Sequence, residues 1–169
     1  MINKNSTRAE VLAAVREDGT DYDLLPKKYR NDHEIFLIAL QSASAHIFEY
    51  ADESLKKDRD LVLSAVKQDG LSLEYVDESF SCDKEIVLLA VKQAGYSMAY
   101  ADKKLKKDRD FVLQAVRLDG FAIMHVENEF KKDREIVINA VKSRGDSQQF
   151  IDESLKEDKE IALLAVKSS

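Results

Sequence analysis

Catalysis near neutral pH would have to start from three histidines, His33, His46 and His125, and from one cysteine, Cys82. Their spacing builds no known constellation: there is no HExxH, no CxxC, no phosphate loop and no nucleophile elbow. Cys82 sits at an expected helix start, where the helix dipole can lower a thiol pKa, but no base is placed to activate it. His33 and His125 each occupy a slot that is otherwise basic or aromatic, which marks them as packing residues rather than ligands. No catalytic residue, no metal ligand and no cofactor is expected, and the chain is not expected to be an enzyme.

The recurring residue types point instead to binding. One column runs Tyr50, Tyr75, Tyr100, His125, Phe150 and is read as a half-buried core seam rather than a stacking ladder for bases. Three clusters, Lys56-Lys57-Arg59, Lys106-Lys107-Arg109 and Lys131-Lys132-Arg134, make one edge positive, but each is interleaved with acids. A further column varies in type: Ile38, Ser64, Leu89, Gln114, Asn139 and Leu164, flanked by Gln68, Gln93 and Leu118. At roughly 100° per residue it lies on the outer face of a helix, away from the apolar set. Variable residues on a constant frame are how repeat scaffolds meet their partners, so Ile38, Ser64, Leu89, Gln114, Asn139, Gln68, Gln93 and Leu118 form the expected partner-binding face.

The elements that hold these columns follow from an internal repeat. Residues 56–80, 81–105, 106–130 and 131–155 align without gaps as 25-residue copies. Residues 5–29 are a divergent copy, 30–55 a copy with one extra residue, and 156–169 a half copy. These units leave no second domain and no linker. Each opens on an N-cap type (Thr7, Asp32, Asp58, Asp83, Asp108, Asp133, Asp158), followed by an apolar set such as Leu61, Val62, Ala65, Val66. An alanine stands at the centre of all seven, from Ala14 to Ala165, and lets neighbouring helices approach closely. The basic residue after the cap, Arg59, Lys84 or Arg109, opposes the helix dipole and must have another purpose.

All five glycines share one slot (Gly19, Gly70, Gly95, Gly120, Gly145), where a left-handed residue after the helix is expected. A short α- or 3₁₀-helix and a turn complete the unit. The second copy lacks its glycine, so its first helix is expected to run on or bend. The first copy carries Glu10 in an otherwise apolar column, as a terminal cap needs. The fold expected is all-α: a right-handed-type α-solenoid of about seven units, each a long helix plus a short one.

The string D-[RK]-[DE]-[IL]-V-L-x-A-V-K-x-x-G, with an aromatic-acid turn and a closing Leu or Phe, resembles the tandem repeats called domain of unknown function 4116, well over 30–169 and weakly over 5–29. The alternation of long and short helices is more distantly similar to leucine-rich-variant repeats. The resemblance implies a helical repeat without an established activity.

Composition narrows the rest. Five glycines and one proline exclude collagen-like chains and turn-rich sandwiches, and the single cysteine excludes a disulfide scaffold. A net charge of -6 argues against nucleic acid as a partner. No apolar run reaches the roughly 20 residues of a membrane span, and no signal peptide is evident, so a cytoplasmic site is expected, or export by a route without a cleavable signal. The expected function is a non-enzymatic protein–protein interaction scaffold. The alternatives are a targeting or substrate-recognition module associated with an enzyme, and a binder of an anionic partner through the Lys/Arg edge. Ile161, Ala162, Leu163, Ala165 and Val166 keep the half copy apolar, and self-association through that end is a further expectation.

Overall fold

The computed structural model describes residues 2–43 and 45–168, and no strand occurs among them. Long helices span Arg8–Glu17, His33–Ser42, Arg59–Gln68, Lys84–Gln93, Arg109–Leu118, Arg134–Ser143 and Lys159–Lys167. They gather in two compact bodies, Met1–Asp77 and Glu78–Ser169. Within each, a helical repeat stacks long helix on long helix and short helix on short helix.

Every long helix starts as its cap residue dictates. Asp32, Asp58, Asp83, Asp133 and Asp158 each accept from the amides two and three residues on, and Asp108 from Phe111. Thr7 instead forms a capping box with Glu10, whose carboxylate accepts from the Thr7 amide at 2.7 Å. Glu10 therefore has a local purpose besides polarity.

The helices stop by a different device from the one expected. No glycine has positive φ. Asp69, Ala94, Asp119 and Arg144 end their helices in extended conformation, and each amide donates to the central alanine carbonyl: Ala65, Ala90, Ala115 and Ala140. Glycine then opens a 3₁₀-helix, as in Gly70–Glu74, Gly95–Tyr100, Gly120–His125 and Gly145–Phe150. Its purpose is space. A Cβ on Gly19 would lie 2.6 Å from the Ala39 carbonyl oxygen of the next repeat, and one on Gly120 would collide with the Ala140 carbonyl. At these two positions glycine and the next repeat's alanine are thus two sides of one contact, whereas a Cβ on Gly95 would meet the Asp119 side chain instead.

The second repeat needs no glycine to stop. His33–Ser42 is ten residues long, like Arg59–Gln68 and Lys84–Gln93, and the Ala43 amide closes on the Ala39 carbonyl. The expected overrun or bend is absent. Ser44, beside the insertion, lies outside the described residues.

A third helical turn appears where a plain turn was expected: Lys27–Tyr29, Glu53–Lys56, Glu78–Cys82, Lys103–Lys106 and Glu153–Lys156. Leu55, Phe80 and Leu105 point inward from these turns, and Phe130 does so from the turn at 127–130. A backbone hydrogen bond closes several repeats on themselves, as from the Asp52 amide to the Arg30 carbonyl, Asp102 to Ser81 and Asp152 to Lys131. The first body packs around Tyr22, Phe36 and Phe48, edge to face. The second body is mostly aliphatic, with Ile86, Val87, Val112, Ile136 and Val137 wholly buried.

Candidate functional site

In five of the repeats the basic residue after the cap reaches the following repeat. Arg8 donates to Asp32 at 2.7 Å and to Glu34 at 2.7 Å. Arg109 donates to Asp133 and Glu135, both at 2.8 Å, and Arg134 joins Asp158 and Glu160 in the same way. Lys84 reaches Asp108 at 2.6 Å, and His33 Nε2 lies 3.3 Å from Asp58. The hydrogen bond from Arg8 holds the Asp32 carboxyl below the usual carboxylate range, and Arg109 does the same to Asp133. A residue that opposes its own helix dipole thus clamps the next helix start.

Other members of the basic edge are also engaged internally. Lys106 donates to the Ala99 carbonyl at 2.5 Å and Lys131 to the Met124 carbonyl at 3.0 Å, closing the preceding 3₁₀-helix. Lys57 and Lys132 lie 3.7 Å from Asp77 and Asp152. Much of this edge is therefore neutralised by the fold itself, which weakens its case as a landing strip for an anion.

The variable column occupies the outer helix face. Ile38, Ser64 and Gln68 belong to the first body, with Ile38 and Ser64 half-buried and Gln68 exposed. Leu89, Gln93, Gln114, Leu118 and Asn139 belong to the second. There Gln93, Gln114 and Leu118 are exposed, whereas Leu89 and Asn139 are half-buried. Gln114 and Asn139 fold back to donate to the Asp110 and Glu135 carbonyls of their own helices. Arg117 donates to the Asn139 oxygen at 3.1 Å, tying adjacent rungs together. Gln114 and Asn139 are thus tied to the frame.

Beside it lies a feature the periodicity did not show. Tyr96 and Phe121, each directly after a glycine, stack with ring centroids 5.3 Å apart. Arg144 lies over Phe121, 4.8 Å from its centre, and donates to Asp119 at 2.9 Å. Tyr96 is 42% exposed and Leu118 41%. Phe121, Leu118, Arg144 and Lys92 border a shallow concavity of about 380 Å³. Asp119 and Asp146 line it as well, so the result is an aromatic and aliphatic shelf with charges of both signs at its rim. The signal in the sequence was the column Leu71, Tyr96, Phe121, Asp146, which turns aromatic in two successive repeats. Of the column Tyr50, Tyr75, Tyr100, His125 and Phe150, all but Tyr50 are half-buried, and Tyr50 is 38% exposed. His125 and Phe150 close the inner side of the shelf against Tyr96 and Phe121.

Cys82 is exposed, with the Ser81 hydroxyl 3.9 Å from its sulfur. Among the described residues no group of three His, Cys, Asp or Glu side chains is placed to hold a metal ion.

With this geometry in view, the comparisons with known proteins are consistent. The family described as Domain of unknown function (DUF4116) matches at residues 10–56, 43–81, 58–106, 83–131, 108–147 and 133–169. The chain belongs to this family, as overlapping tandem repeats. No curated protein and no solved structure matches it.

Proposed function

We propose that this DUF4116 chain is a non-enzymatic scaffold that captures a protein partner on the outer face of its second body. The partner lays a segment along Leu89, Gln93, Gln114 and Leu118 and seats an apolar side chain on the shelf of Tyr96 and Phe121. An acidic residue beside it meets Lys92. The observation that carries this reading is the shelf: apolar groups stand exposed at Tyr96 and Leu118 while Val87, Ala90, Val112 and Ala115 of the adjoining helices are wholly buried. Aromatic residues at such positions are the usual energetic centres of interfaces. Among the described residues no helix is long and apolar enough to cross a membrane, and the unpaired Cys82 suits the reducing cytoplasm we assign to it.

The experiment is affinity capture with the full chain followed by mass spectrometry, comparing wild type with Tyr96→Asp and Leu118→Asp. Both positions are exposed enough to accept a carboxylate without loss of fold, which circular dichroism checks. Partners seen with wild type and lost from both variants support the site. Undiminished capture by both variants removes it.

A further inference from the structure

Among the short turns of the second body, one rung has its charge inverted. The two exposed positions that open these turns read Glu78-Ser79, Lys103-Lys104, Asn128-Glu129 and Glu153-Ser154. In the first body the same positions hold Glu53-Ser54. Glutamate at the first position pairs within its own turn: Lys56 meets Glu53 at 2.9 Å, and Lys156 meets Glu153 at 2.6 Å. In Lys103–Lys106 that pair becomes lysine against lysine, and Lys106 turns instead to the Ala99 carbonyl. Burial holds the Lys106 amine below the ordinary lysine range; Glu127 and Asp102 act to raise it and the Lys103 charge to lower it.

Lys107 departs from its counterparts in the same sense. Lys57 and Lys132 lie 3.7 Å from Asp77 and Asp152, whereas Lys103, Lys104 and Lys107 make no ion pair among the described residues. All three are exposed, and spacings of three and four residues bring Lys103 and Lys104 to the side of Lys107. Like charges at these spacings destabilise a helical turn, a cost that the repeat's usual Glu-Ser avoids. The rest of the Lys/Arg edge is largely paired within the fold; this turn breaks the pattern without an internal return, which points outward to a partner.

The partner's chemistry follows from the patch and its frame. Free ammonium groups call for an anion. Glu78 on the rung before and Glu129 on the rung after are exposed acids, so the positive zone is about one repeat wide, ~10 Å at helix-packing distance. A nucleic-acid strand carries its phosphates past such a width and meets those acids. Ammonium groups also lack the planar fork that grips a phosphate through two hydrogen bonds. A short run of carboxylates fits, since an extended chain advances about 3.3 Å per residue and about three to five residues cover the zone. We infer that the turn at 103–107 docks a short acidic segment of a partner protein, held by Lys103, Lys104 and Lys107. Tyr96 and Phe121 of the shelf stand near the start of their 3₁₀-helices, whereas this turn follows the end of one, so the two sites are tested separately.

The test uses the full chain and a fluorescently labelled oligoglutamate of about five residues, read by anisotropy. Wild type should bind it at low salt, and binding should weaken as salt rises. Lys103→Glu with Lys104→Ser restores the turn found at 53–54 and 153–154. It should weaken binding about tenfold or more and leave the melting temperature equal or higher. Lys142→Glu with Lys167→Ser removes as much charge from exposed helix ends and should change binding less than about twofold. Absent binding by wild type, undiminished binding by the first variant, or equal loss in both variants overturns the inference. So does a single-stranded oligonucleotide of like length, or a vesicle containing phosphatidylserine, that binds wild type more tightly than the peptide and is lost from the first variant, for the site then belongs to phosphate. A lower melting temperature in the first variant also overturns it, by giving the lysines a purpose inside the fold.

Discussion

At the residue scale, two small side chains separate what a letter suggests from what it does. Glycine in a recurring slot after a helix fits a left-handed cap and fits a close approach equally well, and only the backbone angles decide. Here the approach decides, because the Ala140 carbonyl occupies the space that a Cβ on Gly120 would need. Gly120→Ala is therefore expected to destabilise by about 1–3 kcal/mol through overpacking, read as a fall in urea midpoint. D-alanine, which would relieve a left-handed glycine, should give no rescue there. Ser147 shows the converse. Its hydroxyl is wholly buried without a hydrogen-bond partner, whereas Ala122 fills the same slot one repeat earlier. Ser147→Ala should be neutral or stabilising by up to about 1–2 kcal/mol; a clear loss of stability would show that the hydroxyl has a partner.

At the element scale, helix starts were legible in the sequence because a cap acts within three residues: Asp133 and its acceptor geometry are local. The purpose of the base that follows was not legible, since its partners lie 24 and 26 residues away and meet it only after stacking fixes the register. Arg109→Leu should lower the melting temperature at low salt, with the gap to wild type narrowing as salt screens the pair. The shelf was missed for a related reason. Tyr96 and Phe121 lie three positions beyond Gln93 and Leu118, past the helix whose exposure the periodicity describes, and they come together only across repeats.

His125 adds a pH dependence at this scale. Burial, then the charges of Lys106 and Lys131, hold its imidazole below the ordinary histidine range. The unfolded chain takes up a proton near pH ~6.5 that the folded chain resists. Its contribution is thus complete above that pH and is lost as pH falls toward the folded value. The carboxylates of Asp32, Asp108 and Asp133 are also lowered, so their contribution is complete above about pH 4 and is lost in stronger acid. Unfolding midpoints should decline in two acid stages, and His125→Phe should abolish the first while leaving the second.

At the scale of the whole molecule, each repeat buries its apolar face only against neighbours, so stability is a sum of local contacts. Within the second body, Lys159–Lys167 has one long-helix neighbour whereas Arg109–Leu118 has two. Amide exchange should accordingly be faster in Lys159–Lys167 than in Arg109–Leu118. The same economy explains why function was less legible than fold. The frame repeats and announces itself, but a binding face consists of departures from the repeat, and Leu118 among Gln68 and Gln93 is a single such departure. The claim that these departures form one interface is tested most directly by amide-exchange footprinting of the full chain with a captured partner. Slowed exchange centred on 92–96, 118–121 and 144 is the result expected. Slowed exchange confined to the Lys/Arg edge around 56–59, 106–109 and 131–134, with the shelf unchanged, would contradict it.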